Sequence, residues 1–231
     1  SRAGLYGDAA WVNLPKRFEF ASVEFAPPPP PLPPFAIAAD FERAPSGAPP
    51  ARARVHVEGK GDSIGVTDEH AARGKRSLKM VDAPGLKHTF NPHFYYTPNH
   101  TRGISRVAFA MRLEEGVRMY HEWRMAEASP YRVGPTFHIH GDGKLRAAGR
   151  VLADLPPGEW IEIEIAAAVG EDADGTWSLT VTTAGREPQR FDNLPTGHAD
   201  FAALTWIGWM STATDRRVFY LDDIRVTPGE E

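Results

Sequence analysis

The sequence predicts an all-β protein, a two-sheet antiparallel β-sandwich of the jelly-roll type. Three observations carry that expectation. From Phe35 onward, apolar and polar residues alternate in about ten or more short segments, with turn signals roughly every 8–12 residues. In Glu159–Ile165, EWIEIEI, the residues Ile161, Ile163 and Ile165 share one face and Glu162 and Glu164 the other, the pattern of a strand with one buried and one wet side. No stretch carries the 3.6-residue periodicity of a convincing amphipathic helix.

In chain order, residues 1–25 hold too few apolar side chains for a core and read as the tail of a preceding domain. Residues 26–34 are a proline-rich linker, extended and semi-rigid. The sandwich module then occupies 35–231. Its expected strands are 35–41, 55–57, 63–66, 75–81, 105–113, 117–125, 136–140, 144–152, 159–165, 177–181, 204–211 and 218–226. Residues 44–53, rich in Pro, Gly and Ala, read as loop, 85–103 as a long loop or broken strand, and 166–169 as a turn. Residues 204–211 and 218–226 read as adjacent antiparallel strands around a polar loop at 212–217. In the second of these, Phe219 and Leu221 share one face and Ile224 and Val226 the other. The parity switch falls at Asp222-Asp223 and predicts a bulge.

Composition narrows the function classes. A net charge of −4 over 231 residues, without a basic stripe, argues against nucleic acid as a partner and against a polybasic membrane anchor. No apolar run approaches the roughly 20 residues that cross a bilayer. The chain has no cysteine, which excludes a disulfide framework and a thiol nucleophile. It starts at Ser1 without a leader, and the expectation is a portion of something longer.

Several groups of residues bear on chemistry. His138 and His140 fall on one strand face about 7 Å apart, and His121 on another strand makes a third candidate ligand for zinc or copper. The His138–His140 pair with Tyr120, Arg124, Tyr131 or Arg132 supplies the residue types of a polysaccharide lyase: a cation to neutralise a uronate carboxylate and a His or Tyr to take the C5 proton. Glu162 and Glu164 have the spacing of a glycosidase pair but sit on a solvated sheet face. Asp172–Gly175 reads as a hairpin turn that lacks the later glutamate of a calcium loop. Tyr95, Tyr96, Trp123, Tyr131, Trp206 and Trp209 are the aromatics available to stack on sugar rings, and Trp206 and Trp209, of opposite parity, divide between core and surface.

The segments DFER, DEHAARGKRSLKM, PPGEWIEIEI and FYLDDIRV, in that order, resemble the calcium-binding jelly-roll carbohydrate-binding modules akin to laminin-G and concanavalin-like sandwiches. The resemblance implies a structural Ca2+ held by Glu42 with Asp40, by carbonyls around Arg73–Lys75, and by Asp222 or Asp223. The longer string from FNPHFYY to FYLDDI resembles the C-terminal module of secreted bacterial proteins built on a right-handed parallel β-helix, and GLYGDAAWVNLPK resembles the end of such a helix. That resemblance implies a bacterial secreted, periplasmic or cell-surface setting, with the β-helix domain and a polysaccharide or oligosaccharide as partners.

The expected function is a non-catalytic carbohydrate-binding module of a polysaccharide-acting protein. Its face would combine Tyr120, His121, Trp123, Arg124, His138, His140, Trp209 and Tyr95, with residues 94–96 at the rim. The alternatives are a jelly-roll lyase that uses His, Tyr and Arg, and a structural module packed on a β-helix.

Overall fold

The computed structural model describes residues 33–229 and places fifteen strands in two antiparallel sheets. The expected tail at 1–25 and most of the linker at 26–34 lie outside the described residues. The strands are β1 (Ile37–Ala39), β2 (Arg54–His56), β3 (Ser63–Thr67), β4 (Ser77–Val81), β5 (His93–Tyr96), β6 (Gly103–Leu113), β7 (Met119–Met125) and β8 (Arg132–Ile139). They continue with β9 (Lys144–Ala147), β10 (Arg150–Asp154), β11 (Trp160–Val169), β12 (Thr176–Thr183), β13 (Gln189–Pro195), β14 (Trp206–Ser211) and β15 (Val218–Thr227). The first sheet runs β13-β12-β11-β6-β15-β4-β3, with β1 also paired to β15. The second runs β10-β9-β8-β7-β14-β5-β2.

Alternation decides which residues line the space between the sheets. Ile161, Ile163 and Ile165 on β11 face Val181, Leu179 and their neighbours on β12, all buried, while Glu162 and Glu164 stay wet. The strand does not stop at Ile165. Ala166–Val169 continue it in register with 103–106 of β6, so the expected turn there is strand. Alanines carry too little hydropathy contrast to show this in the sequence. Residues 144–152 form not one strand but a hairpin, β9 and β10, which turns through Ala148 at φ +50° and Gly149 at φ +71°.

The largest departure concerns β14 and β15. They are not adjacent strands of one sheet. Residues 212–217 cross from the second sheet to the first, and Asp82 holds the crossing. Its Oδ2 accepts from Ser211 Oγ at 2.5 Å and from the Ala213 amide at 3.0 Å, and burial raises its pKa.

The bulge expected at Asp222-Asp223 is present. The register against β6 shifts between Asp222 and Arg225, and Asp223 takes φ +50°. The extra residue turns both apolar pairs inward, so Phe219, Leu221, Ile224 and Val226 are all buried. Asp222 is 1% exposed. Its Oδ2 accepts from the Ala72 and Arg73 amides at 2.8 and 3.3 Å, its Oδ1 from the Asp223 amide at 2.8 Å, and burial pushes its pKa up to about 6. Glu42 Oε1 accepts from the Lys75 and Arg76 amides at 2.8 and 2.9 Å, while Asp40 closes a local turn onto the Glu42 amide. The three segments expected around a calcium ion do meet at one corner. The atoms presented to Glu42 and Asp222 there are amide N–H donors, and among the described residues no group of three or more His, Cys, Asp or Glu is arranged to hold a metal. Among those residues no helix is long and apolar enough to cross a membrane.

Candidate functional site on the outer face of the second sheet

The outward face of the second sheet gathers the polar and aromatic residues that the core rejects. Strand register places them in rows. One row runs His56, His93, Met210, Tyr120, His138, Arg146 across β2, β5, β14, β7, β8 and β9. The next runs Arg54, Tyr95, Gly208, Glu122, Thr136. Beyond them Arg124 pairs with Trp206.

Tyr120 and His138 are direct cross-strand neighbours with stacked rings, 5.3 Å between centroids and 20° between planes. Partial desolvation against its neighbours depresses the His138 imidazole below its usual range, partly offset by the Glu122 carboxylate, so the ring is neutral near pH 7 although its surface is exposed. Burial and then the Glu122 carboxylate raise the Tyr120 phenol, opposed by the positive charge of Arg124; it is protonated near pH 7. Arg124 Nε donates a hydrogen bond to Glu122 Oε1, and both side chains are largely buried. The Arg124 guanidinium lies 4.0 Å from the Trp206 ring and 4.6 Å from Tyr131. Trp206 stacks on Tyr95 at 5.2 Å and leans over Gly208, where a Cβ would come within 2.3 Å of its ring. Gly208 therefore makes the room in which Trp206 lies flat on the sheet. The face thus sets a neutral imidazole beside a protonated phenol, flanked by a fixed guanidinium and an aromatic wall.

Four expected residues are here: Tyr120, Arg124, His138 and Tyr95. His140 lies just past the end of β8, exposed, and its charge opposes protonation of His138. Three are elsewhere. Trp209 is fully buried, stacked on Phe94 at 5.0 Å and edge-on to Phe109 at 5.4 Å. Trp123 is fully buried and donates from Nε1 to His121 Nε2 at 3.0 Å. His121, also fully buried, sits against Phe109, Phe137 and Trp209. His121 and Trp123 face inward because β7 alternates them with Tyr120, Glu122 and Arg124, and Trp209 on β14, paired with His121, points the same way. The supposed loop at 94–96 is β5, an interior strand of the sheet, with Phe94 and Tyr96 in the core and only Tyr95 outward. Glu122, His56 and His93 belong to the face and were not singled out from sequence.

Buried and accepting from Trp123, His121 is neutral, with its pKa pushed down to about 3. An unfolded chain protonates this imidazole near pH 6.5. Its contribution to stability is therefore complete above that pH and is lost as pH falls toward 3. Urea titrations at pH 6.5 and pH 5 should differ by about 2 kcal/mol on its account. His121→Gln, which keeps an acceptor for Trp123, should flatten that slope; an unchanged slope contradicts the assignment.

No protein-family profile matches the chain, and no curated protein sequence matches it. Solved structures do. An endo-β-1,4-glucuronan lyase from Trichoderma reesei superposes with a TM-score of 0.55 at 13% identity, covering 83% of this chain and 94% of that one. An alginate lyase from Aplysia kurodai gives 0.53 at 12% identity, over 71% and 87%. A carbohydrate esterase of the bacteriophage phi24B gives 0.54 at 13% identity, over 77% and 90%. The fold is a jelly roll shared with these enzymes. At such identities the likeness speaks for the fold and leaves the chemistry to the residues.

Proposed function

We propose that the chain is a polysaccharide lyase that cleaves an acidic, uronate-containing glycan by β-elimination on the outer face of the second sheet. The observation that carries this reading is the stacked Tyr120–His138 pair beside Arg124. Elimination breaks the C5–H and C4–O bonds of one sugar ring and forms the C4=C5 double bond. When the C5–H and C4–O bonds lie on the same side of the ring, a syn elimination needs a base and an acid side by side, as His138 and Tyr120 stand. His138, neutral and exposed, takes the C5 proton. Tyr120 gives its phenolic proton to the departing C4 oxygen, and the nearby Arg124 charge stabilises the phenolate left behind. The guanidinium also supplies positive charge for the uronate carboxylate as negative charge builds at C5.

This reading is preferred to that of a non-catalytic module because a module needs aromatic plates and hydrogen bonds but no adjacent acid and base of opposite duty. The superposed glucuronan and alginate lyases support it through the fold. Incubation with glucuronan, alginate and a neutral glucan, followed by ultraviolet absorbance of the unsaturated product, tests it: absorbance should rise with an acidic polymer and not with the neutral one.

The structural calcium expected at Asp40, Glu42, Asp222 and Asp223 is a separate proposal. It is supported by the meeting of those acids and the 72–76 turn at one corner, and opposed by the amides already bonded to Glu42 and Asp222. A cation holding that corner predicts a fall of several degrees in Tm on adding chelator, on the order of 1–2 kcal/mol. No change in Tm rejects it.

A further inference from the structure

Beyond Met210, the row that carries Tyr120 and His138 ends in a second group of rings. His56 and His93 stack at 4.4 Å with 6° between planes, and Tyr95 lies within 12° of both. Phe90, 42% exposed, stands edge-on to His93 at 5.6 Å, and His88 stacks on Phe90 at 5.2 Å. These rings lie on a solvent face, outside the core.

Their placement is built. Glu58 accepts from the Lys87 amide at 2.6 Å, the His88 amide at 2.9 Å and Asn91 Nδ2 at 2.9 Å, and these donors hold its pKa near 2. A carboxylate that only accepts fixes the Asn91 amide, so Asn91 Oδ1 must face His93 and accept from His93 Nδ1 at 2.8 Å. The His93 tautomer follows: hydrogen on Nδ1, a lone pair on Nε2. Burial keeps this imidazole neutral, with a pKa of about 4. The end of the row therefore presents a column of parallel rings flanked by the exposed Phe90, with one oriented acceptor on His93.

We propose that His56, His93 and Phe90 form a separate sugar-binding subsite. It takes a second pyranose of the same acidic chain, the C–H face of the ring packing on the exposed Phe90 and His56 rings and a hydroxyl donating to His93 Nε2. Two strand spacings, about 10 Å, separate His93 from Tyr120, so the subsite holds a ring other than the one undergoing elimination. It makes the protein prefer longer chains. The identity of the ligand rests on the lyase reading; the ring cluster and its acceptor do not.

The test uses the full chain, the variants Phe90→Ala and His56→Ala, and oligoglucuronates from the disaccharide to the hexasaccharide. The structure predicts a rise of about ten-fold in KM for the hexasaccharide, an unchanged kcat, and no change for the shortest oligosaccharide cleaved. Calorimetric titration of the same oligosaccharides reads the subsite without any turnover. If no uronate polymer is cleaved but the hexasaccharide still binds about ten-fold more weakly to the variants, the subsite stands and the lyase reading falls. If KM and Kd match the unsubstituted protein at every length, the subsite is overturned, whether or not the protein is a lyase.

Discussion

Tyr120→Phe and His138→Ala should each lower turnover on the acidic polymer by about 10²–10⁴-fold, with little change in stability. The phenol and the imidazole lie on an outward face, so neither change opens the core. Phenylalanine keeps the ring that stacks on His138 and removes only the transferable proton. The pH profile sharpens the assignment. His138 acts as a base only when unprotonated, and its pKa is depressed, so activity should persist below the usual imidazole range before falling as pH drops. Tyr120 acts as an acid only when protonated, and its pKa is raised, so the alkaline limb should lie above the usual phenol range. Arg124→Gln removes the charge that, in the proposed mechanism, stabilises both the carboxylate and the phenolate. It should lower kcat and kcat/KM together, the signature of an interaction made in the transition state.

Trp209→Ala should cost about 3–5 kcal/mol of folding stability, read from urea unfolding, through the cavity it leaves. The indole is fully buried among Phe94, Tyr96, Phe109 and His121, on the inner side of the sheet whose outer side carries the site. Were Trp209 a sugar-stacking residue, the same substitution would weaken binding and leave stability nearly untouched. The outward member of the pair is Trp206, lying over Gly208 beside Tyr95 and Arg124.

How much of this could be read from the chain depends on contrast. β11 was legible because Ile and Glu alternate sharply, and the bulge at Asp222 because two apolar pairs change parity there. β5 was not: in HFYY both faces are aromatic, one packing on Trp209 and the other meeting His56 and Trp206, so no apolar–polar alternation remains. Nothing local shows that β14 and β15 belong to different sheets, since a polar loop of six residues serves a hairpin as well as a crossing.

For the site, the residue types of an elimination reaction were visible, and the parity of Tyr120 against His121 was too. What the sequence lacked was the register that sets Tyr120 opposite His138. A usable signal did exist in β7. In MYHEWRM, Tyr120, Glu122 and Arg124 form one face, and its two charges mark it as the outer one, which sends His121 and Trp123 into the core. The subsite at His56 and His93 had no such signal, because it joins two segments 37 residues apart through Glu58 and Asn91.

The central claim is that this sandwich is catalytic. The most direct test follows ultraviolet absorbance while the protein acts on a glucuronan or alginate solution, beside the Tyr120→Phe and His138→Ala variants. A steady rise with the unsubstituted protein, reduced at least about a hundred-fold in both variants, is the expected result. A flat trace with every acidic polymer, from a folded protein that nevertheless binds them, would contradict it and return the chain to the reading of a binding module.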